Sequence, residues 1–353
     1  MSKTSLVQTV IVVIGNKKDT RKICNEFKKK PIEIQGKPIK VVDGDKYLGF
    51  RISSKGVEAS IRDTFEERRK KAWSKLFTVK RLLYHPVVQK NGYVRSGIVL
   101  FRAAIVPVLL YSSDCWYGLS KNMVNKIEAA YRKLLYCLLD IPTHTKYETV
   151  LLELGLMKAK DIIDCQKICF INKVWYNERD IENKKMLLND YQKSEYGKSV
   201  MDEIIIGCQR FGVSNIFRRR IFNEDIKFIV KRKTDNEYWN ESMKSKYSVT
   251  RMQTVSKFRY YHEFVKGEGR AVLVWRCGSL KFRSQWRKYY MKKYEGITCP
   301  HPCCGEEDSL VHALKCPFMI TKLGNEKSED KRMGVFLMKL NRERIKYYRA
   351  PIL

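Results

Sequence analysis

The stretch CPHPCCGEEDSLVHALKC, residues 299–316, gathers the side chains that bind soft metal ions. Cys299, Cys303 or Cys304, His312 and Cys316 supply a Cys-Cys-His-Cys set. Zinc takes four sulfur and nitrogen ligands in a tetrahedron, and ligand pairs on short loops assemble one. Cys304 is preferred to Cys303 because Gly305 follows it directly and permits the turn a ligand loop needs. SLVHALKC places His312 and Cys316 one helical turn apart on one face. His301 is a spare donor. The expectation is one structural zinc held by Cys299, Cys304, His312 and Cys316. The alternative is a reduced, metal-free loop.

The 353-residue chain carries 70 Lys and Arg against 38 Asp and Glu, a net charge of +32. A field of that sign favours polyanions, nucleic acid before a merely solvated basic surface. The excess is spread along the whole chain, and the composition shifts at 244–293, where 14 Lys or Arg stand among ten aromatics with only two acids, Glu263 and Glu268. Cations that neutralise phosphates, beside ring faces that stack on unpaired bases, are what single-stranded nucleic acid requires. Tyr260, Tyr261, Trp275, Arg276, Arg283, Trp286 and Arg287 are the candidate contacts. The same pattern also fits a helical hairpin with buried rings and solvated charges.

Periodicity predicts the elements that position these residues. Residues 6–14 read as a strand turning at Gly15-Asn16. Ile32, Ile34, Ile39 and Val41 flank Gln35-Gly36-Lys37-Pro38 as a hairpin, and 47–53 reads as a further strand. The first 56 residues are therefore expected to be β-rich. From Val57 the period becomes helical, with Val57, Ile61, Phe65, Ala72, Leu76, Val79 and Leu83 on one stripe. Residues 96–111 read as a buried helix that Pro107 kinks or shortens. Ser120 caps a helix whose stripe is Val124, Ile127, Tyr131, Leu134 and Leu138, and Pro142 ends it. Residues 159–177 form another amphipathic helix. ERDIENKK (178–185) reads as a polar linker and 217–233 as a basic helix. The expected class is α+β, mainly α, in four segments: 1–56 β-rich, 57–177 helical, 178–243 linker and helix, 244–353 basic, aromatic and zinc-bearing.

The 11 cysteines are odd in number and mostly scattered, which argues against a disulfide framework and for a reduced compartment. The expected location is intracellular, nucleus or cytoplasm. The apolar run at 96–111 is short for a membrane span and carries Arg102, so no membrane partner is expected.

Three blocks in order, KYLGFRIS, then FRAAIVPVLLYSSDCWYGLSKNMVNKIEAAYRKLLYCLLDIP, then the Cys-Cys-His-Cys set, resemble the carboxy-terminal part of a non-LTR (LINE-type) retrotransposon reverse transcriptase. The resemblance runs from about Ser2 to Cys316. It implies a palm remnant with Tyr47, Leu48 and Gly49 at the palm edge, a helical thumb-like domain, and a terminal zinc knuckle. The knuckle spacings differ slightly from the family's commonest pattern, with four residues between Cys299 and Cys304 and three between His312 and Cys316. Polymerisation in that family needs paired aspartates that hold two magnesium ions. This sequence contains no Asp-Asp pair, and SKTSLVQTVIVVIG resembles the segment just after the family's catalytic turn.

The resemblance thus implies a truncated reverse-transcriptase-derived protein that binds RNA or DNA without polymerising alone. Other readings are a helical zinc-bearing scaffold for a protein partner, a half that complements a separately made catalytic half, and a relic without a role.

Overall fold

The computed structural model describes residues 10–12, 17–30, 32–34, 37–90, 92–177, 179, 181–193, 199–243, 266–277, 312 and 316. The chain is α+β and mainly α. Its described residues fall into two compact units, each drawn from three stretches that cut across the four consecutive segments expected from sequence. One comprises Met1–Ser74, Val106–Tyr131 and Lys158–Lys233; the other comprises Lys75–Ile105, Arg132–Met157 and Thr234–Leu353. No helix among the described residues is long and apolar enough to cross a membrane.

The first unit opens with short strands in pairs. β1 (Val10–Val12) runs parallel to β4 (Lys40–Val42), while β2 (Glu33–Ile34) pairs antiparallel with β3 (Lys37–Pro38), so Lys37 and Pro38 of the expected turn belong to the second strand and Val41 to β4. A parallel pair needs a crossover, and α1 (Lys17–Lys29) lies between β1 and β4 in the chain. The opening is β-rich as expected, with α1 as a helix outside that expectation. Its sequence, KKDTRKICNEFKK, offers only Ile23, Cys24 and Phe27 as apolar residues, too few to show a stripe. The strand expected at 47–53 is corrected. β5 (Gly44–Tyr47) and β6 (Phe50–Ser53) pair antiparallel with Tyr47 opposite Phe50, so Leu48 and Gly49 are the turn between them. Both have positive φ, 45° and 85°, as a two-residue hairpin turn of matching twist requires.

α2 (Val57–Leu83) begins where the helical period begins, and its stripe from Ile61 to Leu83 is buried. Residues 57–74 belong to the first unit and 75–83 to the second. In the second unit, α3 (Pro86–Lys90) leads to α4 (Tyr93–Leu100). A π-helical turn, Phe101–Ile105, follows directly, and α5 (Val106–Leu109) continues the helix. Pro107 therefore neither ends nor shortens this segment. A proline ring crowds the carbonyl four residues back and lacks an N–H, and the wider π turn accommodates both.

α6 (Lys121–Leu139) has the expected cap: Ser120 Oγ accepts from the Met123 N–H at 3.3 Å. Ile127, Tyr131, Leu134 and Leu138 are buried as the stripe requires. α7 (Tyr147–Glu153) belongs to the second unit. α8 (Ala159–Tyr176) matches the expected amphipathic helix. The polar stretch read as a linker instead enters α9 (Ile181–Lys193), a helix without a continuous apolar stripe. α10 (Val200–Phe211) has a reciprocal capping box, Ser199 with Asp202, and stops at Gly212 in the left-handed region. The basic helix is shifted along the chain: α11 spans Asn223–Met243, and Arg218, Arg219 and Arg220 lie before it. α12 (Lys266–Arg276) belongs to the second unit, where it contacts α3 and α4.

Candidate nucleic-acid interface

The Tyr47-Leu48-Gly49 turn stands out from its surroundings. Tyr47 and Leu48 are 67% and 75% exposed. The turn is held from within the first unit by its backbone carbonyls. Arg68 Nη2 donates to the Gly49 carbonyl at 2.8 Å, and the Tyr111 hydroxyl donates to the Leu48 carbonyl at 3.0 Å. The Arg68 guanidinium also lies 4.1 Å from the centre of the Tyr111 ring, a cation–π contact. Glycine suits position 49 because of its positive φ, and a Cβ there would displace the Arg68 guanidinium that holds the turn.

Below the turn, Glu67 accepts from Lys46 at 2.5 Å and from Lys71 at 2.8 Å. Hydrogen bonds from the two ammonium groups hold its carboxyl down at about 2, against the ordinary 4.5. A depressed folded-state value stabilises above the unfolded value and loses that stabilisation as pH falls through the folded one. Glu67→Gln therefore lowers stability at neutral pH, and the deficit closes as pH falls from 4.5 towards 2. Urea midpoints of both proteins, followed down through that window, check it. A deficit unchanged at the acidic end would place its origin elsewhere.

Two of the four proposed zinc ligands fall within the described residues. The Cys316 N–H donates to the His312 carbonyl at 2.7 Å, the i to i+4 bond of a helical turn. Cys316 is buried and His312 half-buried. That bond brings the backbones of His312 and Cys316 together at the four-residue spacing of the two proposed ligands. Cys299 and Cys304 lie outside the described residues. Among the described residues no group of three or more His, Cys, Asp or Glu is placed to hold a metal ion.

Of the proposed contact residues, Tyr260, Tyr261, Arg283, Trp286 and Arg287 also lie outside the described residues. Trp275 is on α12, and its side chain is not among those described. Arg276, at the end of α12, is 9% exposed and its Nε donates to Glu153 Oε1 at 2.5 Å. Its guanidinium is engaged inside the second unit. Arg270, on the same helix, is exposed and its Nε donates to the Asp140 carbonyl at 3.0 Å.

A different surface of the first unit carries exposed cations and exposed rings. Arg218, Arg219 and Arg220 are exposed and make no hydrogen bond or ion pair with a described residue. Phe222 follows at 73% exposure, and α11 presents Lys227 and Phe228, the latter 67% exposed. Glu224 and Asp225 lie in the first turn of α11, where acids favour the helix N-terminus. The segment is docked on α8 by Asn172, whose Nδ2 donates to the Ile221 carbonyl at 2.7 Å and to Asn223 Oδ1 at 3.2 Å. The sequence signal is present as FRRR, but such runs are ordinarily solvated helix faces. Exposure, the absence of partners among the described residues and the neighbouring rings distinguish this one.

Beside Asn223 lies a cavity of about 300 Å³. Gln166, Cys169, Phe170 and Lys173 line it from α8 at i, i+3, i+4 and i+7, one continuous face. Asp114 and Ser113 close the other side from the 3-10 turn Ser113–Cys115. The Cys165 thiol donates to Cys169, and Lys227 adds its positive charge. Together they hold the Cys169 thiol below its ordinary value despite partial burial. No protein-family model, curated protein or solved structure matches this chain.

Proposed function

We propose that this chain is a nucleic-acid-binding protein derived from a non-LTR retrotransposon reverse transcriptase, and that it binds RNA or DNA without polymerising by itself. One observation carries the reading: a net charge of +32, with Arg218, Arg219 and Arg220, which have no partner among the described residues, close in the chain to the exposed ring of Phe222. Phosphates meet the cations and unpaired bases meet the rings, so affinity comes from charge and stacking with little sequence preference. In this reading the turn at Tyr47-Leu48-Gly49 is the palm edge, and the helices after Val57 are thumb-like. Cys299, Cys304, His312 and Cys316 hold one structural zinc that folds the tail. The helical turn from His312 to Cys316 supports the last assignment.

The test pairs zinc content of the purified full chain with a salt titration of its binding to a single-stranded RNA. The expected result is one zinc per chain and a log affinity that falls steeply and linearly with log salt. A flat salt slope overturns the nucleic-acid reading, and metal-free protein with an unchanged fold overturns the knuckle. The exposed Tyr47 and Leu48 favour a second reading, a scaffold that presents this tip to a protein partner. Equal affinity for heparin and RNA, with no loss on removing exposed rings, would select it.

A further inference from the structure

We propose that the cavity between α8 and the Ser113–Cys115 turn, with the arginine run beside it, takes one unstacked nucleotide of a single-stranded RNA. This rests on the nucleic-acid reading above and gives it a place. The rim and the cavity differ in chemistry. Arg218, Arg219 and Arg220, three to five residues before the lining residue Asn223 in the chain, are exposed cations with no partner among the described residues, and they suit consecutive phosphates. Within the cavity Asp114 presents a carboxylate, which repels phosphate and accepts from hydrogen-bond donors. The groups of a nucleotide that carry donors are the base amines and the ribose 2′-hydroxyl, and the hydroxyl distinguishes RNA from DNA.

Size and position agree with that division. A volume of about 300 Å³ admits one nucleoside and excludes a duplex. Phe170 lines the cavity as an exposed ring, and Phe222, 73% exposed, directly precedes the lining residue Asn223 in the chain. A base leaving the strand therefore finds a ring face on entry and acceptors within. Asn172 fixes the distance between rim and cavity, because it binds both Ile221 and Asn223 from α8. Lys173 and Lys227 add positive charge on the two helices that flank the opening, while Glu224 and Asp225 confine the strand to the arginine side.

The experiment uses the full chain and a short fluorescent single-stranded RNA of mixed sequence, followed by anisotropy over a salt series. A DNA of the same sequence is the comparison ligand. Arg218→Gln, Arg219→Gln and Arg220→Gln together remove three charges and leave exposed side chains of similar length. The salt slope is expected to shrink by about 2, from roughly 0.7 per lost phosphate contact. Phe222→Ala is expected to weaken binding about fivefold or more with the slope unchanged. Bound RNA is expected to shield Cys169 from alkylation, read residue by residue by mass spectrometry, and the matching DNA to shield it less.

The failures are distinguishable. Wild-type protein that binds RNA steeply while the triple variant keeps its slope and Cys169 stays reactive overturns this site and leaves the general reading standing. DNA that binds and shields as well as RNA overturns the ribose contact. Wild-type protein that binds RNA without salt dependence removes the general reading, and this site with it.

Discussion

Arg276→Ala is expected to destabilise the protein by about 3–5 kcal/mol and to leave the salt slope of RNA binding unchanged. The guanidinium is 10% exposed, its partner carboxylate on Glu153 13% exposed, and they meet at 2.5 Å. Such a pair adds little net stability, because desolvation of both ions offsets their attraction. Removing one partner is different, since it leaves the other charged in a poorly hydrated place. Glu153 keeps only 13% of its side chain exposed, so little water is at hand to replace the guanidinium. The double variant Arg276→Leu with Glu153→Leu is therefore expected to recover most of the loss. Denaturant midpoints of the three variants check the sequence of effects. An Arg276→Ala protein of ordinary stability, with a reduced salt slope, would return this arginine to the contact surface beside Arg283 and Arg287.

Arg276 is a candidate contact by its place in a basic, aromatic segment, and composition cannot distinguish a solvated guanidinium from one that faces a carboxylate far away in the chain. Glu153 stands 123 positions earlier. The helices legible in the sequence are those whose burial repeats at three and four residues, α2, α6 and α8. Each has one face that must leave water, and the pattern records that face. α1 escapes periodicity because it has few apolar residues, and α9 because its apolar residues Ile181, Met186, Leu188 and Tyr191 stay exposed rather than marking a buried face. Leu48 is the sharper case. A β-branched or aliphatic run reads as strand, and leucine rarely takes a positive φ. The turn is imposed by Arg68 and Tyr111, which grip two successive carbonyls from elsewhere in the first unit.

The candidate site is legible in kind and less so in place. Net charge points to a polyanion without naming which cations meet it. His312 and Cys316 are placed by spacing alone, because a helical turn is a local property. Arg218 to Arg220 carry no local mark that separates them from other basic runs. Their meaning depends on Asn172 docking the next residues against α8, and on a cavity formed by residues as distant as Asp114 and Asn223.

Trp116→Ala is expected to cost about 3–5 kcal/mol, the range for deleting a large buried aromatic. Trp116 is fully buried and meets Phe65 edge to face, with ring centres 6.3 Å apart at 88°. Its Nε1 is buried with no hydrogen-bond partner among the described residues. A buried donor without an acceptor is a standing cost, so the side chain contributes through its rings alone. Trp116→Phe keeps a ring against Phe65 and removes the unpaired N–H, and is expected to cost about half as much or less. The two variants should also separate at the cavity. Trp116 directly follows the Ser113–Cys115 turn that carries Asp114, so an alanine leaves that turn without its anchor. Alkylation of Cys169 in the presence of RNA is then expected to rise in Trp116→Ala and to stay at the wild-type level in Trp116→Phe. Equal losses of stability in both variants would show that the indole nitrogen has a partner after all. Unchanged protection in the alanine variant would show that the position of Asp114 does not depend on the packing beneath it.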